Sequence, residues 1–212
     1  ERNECLKICD KISTLRKKAA DILSKGIDEE LKSLNFAAAK FECRWEELKK
    51  FTSNGRDSYE FMISLNPGEP MKPLVKVASG GELSRIMLAI KTVLADKDEI
   101  PSLIFDEIDT GISGRTAQKV SEKLGLLAGT HQIICITHLA QIAAMADSHY
   151  VIEKTNGKDS VKTEIRELDP EDRISELARI LGGAEITNAV IENAREMISL
   201  ACEIKKSRSL NS

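Results

Sequence analysis

The sequence predicts an α/β fold in which a parallel sheet flanked by helices carries a β-hairpin and follows an N-terminal coiled-coil helix segment. Three observations predict it. Two short apolar runs, Leu103 to Phe105 and Gln132 to Ile136, end in polar residues. Between them lies an amphipathic stretch with Ala117, Val120, Leu124 and Leu127 on one face, giving the strand, helix, strand order of a parallel crossover. Near the N-terminus, Cys5, Ile8, Ile12, Leu15, Ala19 and Ile22 keep a three-four spacing among charged residues, a short heptad seam. Further on, Tyr150 to Glu153 and Val161 to Ile165 flank Asn156 and Gly157, a hairpin signal.

Composition bounds the function. A chain of 212 residues can bury one sizeable core with an appendage, and 42% hydrophobic with 31% charged residues suits a globular protein with extended helices. The formal charge of -3 excludes a global basic signature, so any nucleic-acid contact must be a local patch or lie elsewhere. The five cysteines are scattered without metal spacing, as reduced thiols of a cytoplasmic protein would be, and the three histidines show no zinc pattern. No signal peptide and no apolar run of bilayer length is present in this sequence, so no membrane partner is expected.

In chain order, the sequence starts at Glu1 without Met and is helical at once, as expected of a portion of something longer. By pattern alone the seam also fits a surface helix packed on its own domain. Gly26 interrupts it and Ile27, Leu31 and Leu34 continue in shifted phase, so the helix is expected to bend or to be re-aimed. Phe41, Cys43 and Trp45, then Tyr59, Phe61, Ile63 and Leu65, alternate with polar residues in two antiparallel strands joined through Asn54 and Gly55. Trp45 reads as core or seam rather than a base-stacking platform. Asn66 to Pro70 ends the second strand.

Ser79, Gly80, Gly81 and Glu82 precede an amphipathic helix with Leu83, Ile86, Met87, Ile90 and Leu94 on one face. A capping box accounts for Ser79 and Glu82 but not for consecutive glycines. Glycines there let backbone approach a ligand, and the first-turn amides favour a phosphate. Leu103 to Phe105 shows no alternation and is expected to be covered on both faces, with Asp106 and Glu107 at its carboxyl end, where ligands of open α/β sheets bind. A strand-end Asp suits Mg²⁺ on a nucleotide phosphate and a neighbouring Glu suits activation of water. Strands also end in acidic turn residues with no further role, so agreement among the stretches carries the reading. His138 closes the second apolar strand, and a short helix through Ile142 and Met145 follows. Lys154, Lys158 and Lys162 read as a solvated, lysine-guarded edge. Ile174 to Leu181 is a helix closed by Gly182 and Gly183, and a last helix from Thr187 ends in the basic tail Lys205 to Arg208, which suits a helix C-terminus.

The order of these motifs resembles the second half of an ABC-type ATPase head, with Ser79 to Glu82 as signature motif, Leu103 to Glu107 as Walker B strand, Asp109 as D-loop and His138 as switch histidine. More specifically, Ala78 to Arg85, Phe105 to Gly114 and Thr137 to Ala144 resemble the RecN family of bacterial DNA repair proteins, relatives of the structural-maintenance-of-chromosomes (SMC) proteins. Ala78 and Ala140 are mild departures. The resemblance implies that residues 1–35 are the end of a coiled-coil arm and 36–212 the C-terminal lobe of the head. It implies that Asp106 holds Mg²⁺ through water, that Glu107 is the general base and that Asp109 helps couple two sites. His138 would touch the γ-phosphate of ATP, and Ser79, Gly80, Gly81 and Glu82 would meet ATP held by the second head of a homodimer. The implied cellular role is ATP-driven handling of DNA ends in double-strand-break repair and recombination, on the nucleoid in the cytoplasm.

No phosphate loop of the form G-x-x-x-x-G-K-[ST] occurs in this sequence, the only Gly-Lys pair being Gly157 and Lys158, followed by Asp159. The expected partner is therefore an N-terminal lobe carrying that Walker A loop, and the chain alone is expected to be inactive. Another coiled-coil SMC-type ATPase, or a non-catalytic dimerisation module, are the rival readings; Thr110 to Gly114 argues against the first, and intact Glu107, Ser79 and His138 against the second.

Overall fold

In the computed structural model, which describes residues 2–77, 79–95, 97, 99–156, 161–183 and 185–209, an unbroken helix α1 (Arg2–Ser33) opens the chain. It continues through Gly26 without a break in the helix. A Cβ at that position would stand 3.2 Å from Val93 Cγ1 of α2 (Gly80–Leu94), so the glycine serves close approach of two helices. Beyond it Ile27, Leu31 and Leu34 are fully buried, whereas Ile8, Leu15 and Ile22 are 57%, 67% and 72% exposed along an outward stripe. The phase shift read at Gly26 thus coincides with a change from an exposed stripe to a buried one. Backbone contacts divide the chain into two compact units, Glu1–Glu99 and Ile100–Ser212.

In the first unit, β1 (Lys40–Thr52) and β2 (Gly55–Ser64) pair antiparallel from Lys40↔Ser64 to Thr52↔Gly55, with an irregularity between Glu47 and Thr52. Gly55, at φ +98°, supplies the left-handed backbone of the turn. A short β3 (Lys72–Pro73) extends the sheet; two residues have no periodicity, so nothing in the sequence signalled it. Helix α1 completes the exposed edge of β1, because Asp28 Oδ1 accepts from the Phe41 amide at 2.7 Å and Ser24 Oγ from the Cys43 amide at 3.3 Å. At those two positions β1 offers no free amide to a further strand. Trp45 is held from both sides, its Nε1 donating to Asp57 at 3.0 Å and Lys17 Nζ standing 3.5 Å over its ring.

In the second unit, β4 (Ser102–Phe105) and β5 (Gln132–Cys135) pair in parallel, Ser102 opposite Gln132 and Phe105 opposite Cys135, with α3 (Gly114–Leu127) as the crossover. All four expected inward residues of α3, Ala117, Val120, Leu124 and Leu127, are buried. The sheet is covered on one face only, which corrects the expectation. Leu103 and Phe105 are 8% and 5% exposed, but Ile104 is 70% exposed and Ile136 51%. Alternation is hidden in an all-apolar run, since every residue type suits the interior and only the coverage separates the two faces.

Helix α4 (Ala140–Met145) packs with α5 (Pro170–Gly182) and α6 (Asn188–Ser209) around Ala143, Ala144, Leu177, Ala178 and Ala194. Asp169 caps α5 by accepting from the Asp172 amide at 2.8 Å, and Gly183 ends it at φ +62°. A hairpin of β6 (Tyr150–Asn156) and β7 (Val161–Glu167) pairs Ile152 with Ile165; its expected turn at Gly157, with Lys158, lies outside the described residues. The basic tail has a more definite task than expected. Lys205 Nζ donates to Met145 O at 3.2 Å and to Asp147 Oδ1 at 2.6 Å, so its charge serves the C-terminus of α4. No described helix is long and apolar enough to cross a membrane.

Candidate functional site

The loop after β4 and the loop after β5 leave the sheet side by side, since the two strands are parallel neighbours and Ile136 N still donates to Phe105 O at 3.0 Å. This brings Asp106, Glu107, Asp109, Thr137 and His138 to one edge of the second unit. Asp106 Oδ1 accepts from the Glu107 amide at 2.9 Å, and Glu107 adopts φ +56°, a left-handed conformation uncommon in a residue with a Cβ. A turn follows, closed by Thr110 N on Glu107 O at 3.0 Å and Ile112 N on Asp109 O at 3.3 Å. Gly111 at φ +75° and Gly114 at φ +49° are glycines the turn requires. Both Asp106 and Glu107 are exposed, while Ile108 is fully buried and pins the loop to the core.

Asp109 turns inward. Its side chain is 4% exposed, and one oxygen, Oδ2, receives the Thr137 hydroxyl at 2.6 Å and the His138 amide at 2.7 Å, with His138 Nδ1 at 3.0 Å. Thr137 Oγ1 in turn accepts from the Leu139 amide at 3.0 Å. The His138 ring is 72% exposed, so the buried carboxylate holds one side of an imidazole that faces solvent on the other. Beneath them burial pushes the Cys135 thiol up to about 12, the charges of Asp109 and Asp106 adding to the effect. Sequence reasoning did not assign Thr137 a part in the site. Its signal was a hydroxyl residue directly before the histidine at a strand end.

Ser79, Gly80, Gly81 and Glu82 belong to the first unit and start α2 as expected. Ser79 Oγ accepts from the Glu82 amide at 3.4 Å, Leu83 N donates to Ser79 O at 2.9 Å, and Ser79 and Gly80 are exposed. First-turn amides lack intrahelical acceptors, so this end can take an anion. Among the described residues no group of three or more His, Cys, Asp or Glu is arranged to hold a metal ion. Magnesium needs only one or two carboxylates besides water and phosphate oxygens, and an exposed strand-end Asp106 fits that requirement.

No protein-family model matches the chain. Curated relatives do. DNA repair protein RecN of Halalkalibacterium halodurans is 46% identical over 198 residues, covering 92% of this chain and 35% of that one. RecN of Bacillus subtilis is 38% identical over 209 residues, with 92% and 36% covered. The chain is a RecN homologue. It spans about a third of the length of the RecN relatives it matches. RecN of Vibrio cholerae, 41% identical over 193 residues, covers 91% of the chain and contributes 35% of its own length. Among solved structures, the Smc head domain with a coiled coil and joint from Pyrococcus yayanosii matches with a TM-score of 0.55 at 20% identity, over 77% of this chain and 29% of that one. An Smc head domain with an extended coiled coil, bound to the C-terminal domain of ScpA, from Pyrococcus furiosus matches at 0.51 and 20% identity, over 79% and 39%. The RecN homologue thus has the mixed α/β fold of SMC head domains, with a long N-terminal helix and small parallel and antiparallel sheets.

Proposed function

We propose that the chain is the C-terminal part of a RecN-type head that hydrolyses ATP when completed by a Walker A lobe, with residues 1–35 as the end of a coiled-coil arm and 36–212 as the C-terminal lobe of an ABC-type head. The observation that carries the reading is the left-handed backbone at Glu107, immediately behind Asp106 at the end of β4. A strained residue with an exposed carboxylate at a strand end is a feature that active sites retain and plain turns shed. Glu107 accepts a proton from the attacking water, the role its exposure and position suit. Asp106 holds Mg²⁺ through water. Mg²⁺ bound there would supply charge neutralisation to the phosphates. His138 presents its exposed ring to the γ-phosphate, and Asp109 belongs to the coupling between sites. Ser79, Gly80, Gly81 and Glu82 offer the start of α2 to ATP held on a second head in a homodimer.

Two further observations support a missing lobe. This sequence contains no phosphate loop, and Ile104, Ile134 and Ile136 leave one face of the β4–β5 sheet 70%, 46% and 51% exposed at those positions. The outward stripe of Ile8, Leu15 and Ile22 suits the outgoing arm of an antiparallel coiled coil. The RecN relatives are DNA repair proteins, so the reaction is proposed to drive the handling of DNA ends in double-strand-break repair and recombination, in the cytoplasm.

Mixing the chain with a separately produced lobe that carries the Walker A loop tests this. Mg²⁺-dependent ATP hydrolysis should appear only in the mixture and vanish with Glu107→Gln. Micromolar ATP affinity or turnover by the chain alone would overturn the reading.

A further inference from the structure

We propose that Asp109 is the positioning residue for His138 within the same chain, fixing a proton on Nδ1 and thereby leaving Nε2 as the outward-facing atom of the ring. The proposal rests on the reading of His138 as a phosphate-contacting side chain, and it goes beyond the coupling role that the resemblance gives Asp109. The directions of the hydrogen bonds carry it. Thr137 Oγ1 accepts from the Leu139 amide, and its own proton points to Asp109 Oδ2, 2.6 Å away. The His138 amide donates to the same oxygen at 2.7 Å. With both of these donors converging on it, Oδ2 is an acceptor, so the His138 Nδ1 that lies 3.0 Å from it carries hydrogen.

A neutral imidazole has one N–H, and the partner at one nitrogen decides the state of the other. Nδ1–H facing the carboxylate leaves the Nε2 lone pair outward in the neutral ring and an outward N–H in the cation. A ring free in water favours the opposite neutral tautomer. The surroundings also fix direction. Asp109 is 4% exposed and tied to two consecutive residues of the loop after β5, so the acceptor cannot follow a rotating ring, although that ring is itself 72% exposed. Thr137 supports Asp109 from the side, which explains a hydroxyl before the histidine. An Asp109 carboxylate committed in this way has its partners in its own chain before any second head arrives.

Nitrogen-15 NMR on chain labelled at its histidine rings reads the tautomer directly, because only His131, His138 and His149 contribute. His138→Gln assigns the signal by its loss. At alkaline pH wild-type His138 should give the Nδ1–H pattern. Asp109→Ala should convert it to the Nε2–H pattern of a solvated ring, and Thr137→Val should give a mixture, with His131 and His149 unchanged as reporters of the fold. An Nε2–H pattern in the wild type overturns the proposal, as does an unchanged Nδ1–H pattern in folded Asp109→Ala. The wild-type spectrum decides the tautomer even if that variant does not fold. No nucleotide is involved, so failure of hydrolysis in the lobe-mixing experiment with an Nδ1–H pattern intact would remove the ATPase reading alone. An Nε2–H pattern beside Glu107-dependent hydrolysis would remove this proposal alone.

Discussion

Glu107 donates its own backbone amide to the carboxylate of Asp106, 2.9 Å away, and does so with its backbone turned to φ +56°. The two acidic residues are therefore a single unit. Asp106 secures the turn, and the turn aims Glu107 outward from the sheet edge. An L-residue at this φ costs about 1 kcal/mol relative to glycine.

Glu107→Gly should accordingly raise the unfolding free energy of the chain by about 1 kcal/mol, while Glu107→Gln leaves it unchanged. Denaturant titration checks both. In a head completed by the Walker A lobe, either substitution should lower turnover roughly a hundredfold or more, since each removes the proposed general base. A stabilised glycine variant that is also inactive would be the mark of strain retained for function.

Asp57 makes a second prediction. Its side chain is 1% exposed and receives the Ser13 hydroxyl at 2.6 Å, Trp45 Nε1 at 3.0 Å and Arg16 Nη1 at 3.1 Å, joining α1 to the hairpin. Burial alone would push its carboxyl up, but the hydrogen bonds from Ser13, Trp45 and Arg16 with the Arg16 charge outweigh it and hold the carboxyl below its usual range. A carboxyl depressed by folding stabilises the native state above its unfolded pKa, and that contribution disappears as pH falls through the lower folded value. Stability followed by Trp45 fluorescence should thus fall as pH drops below about 4. Asp57→Ala should flatten that dependence and cost about 2 kcal/mol, a figure discounted because Arg16 remains partly hydrated at 37% exposure.

Cysteine reactivity gives a third test. With its thiol pushed up to about 12, Cys135 holds only about one thiolate in ten thousand at pH 8. Brief alkylation of the native chain followed by mass spectrometry should modify the exposed Cys5 and Cys202 and spare Cys135. Unfolding in denaturant should equalise the three. Rapid native labelling of Cys135 would mean that the edge below Asp109 is open.

Ser79 separates a cap from a contact. Ser79→Ala removes only the hydroxyl that accepts from the Glu82 amide and should cost about 1 kcal/mol without abolishing head engagement. Ser79→Arg should cost about as much and also block ATP-driven engagement of two completed heads, read by cross-linking. Engagement at wild-type levels in the arginine variant would remove Ser79 from the opposing phosphate site.

Much of the molecule was legible because its signals are local. The inward face of α3 follows from spacing at 3.6 residues per turn and Ser79 caps where a hydroxyl precedes glycines, whereas α2 buries Leu88 and Ala89, off the expected face, and α5 starts at Pro170, ahead of the expected Ile174. The strand ends that carry Asp106 and His138 were legible for the same reason, an apolar run stopping at polar residues. What the sequence by itself determined is therefore which of the longer elements form, β3 excepted, and where chemistry-bearing residues sit along them.

Tertiary structure decided the rest. Gly26 broke a pattern along α1, but only the approach of Val93 made it a packing site. Leu103, Ile104 and Phe105 are equally apolar, so the sequence could not tell that Ile104 alone faces outward. Lys205 read as a basic tail until the end of α4 came beside it, 60 residues distant in sequence. Asp109 and His138 lie 29 residues apart, and no pattern along the chain records that their side chains meet. Contacts between distant positions depend on how parallel strands are set side by side, and local propensity carries no trace of that arrangement until the chain has folded.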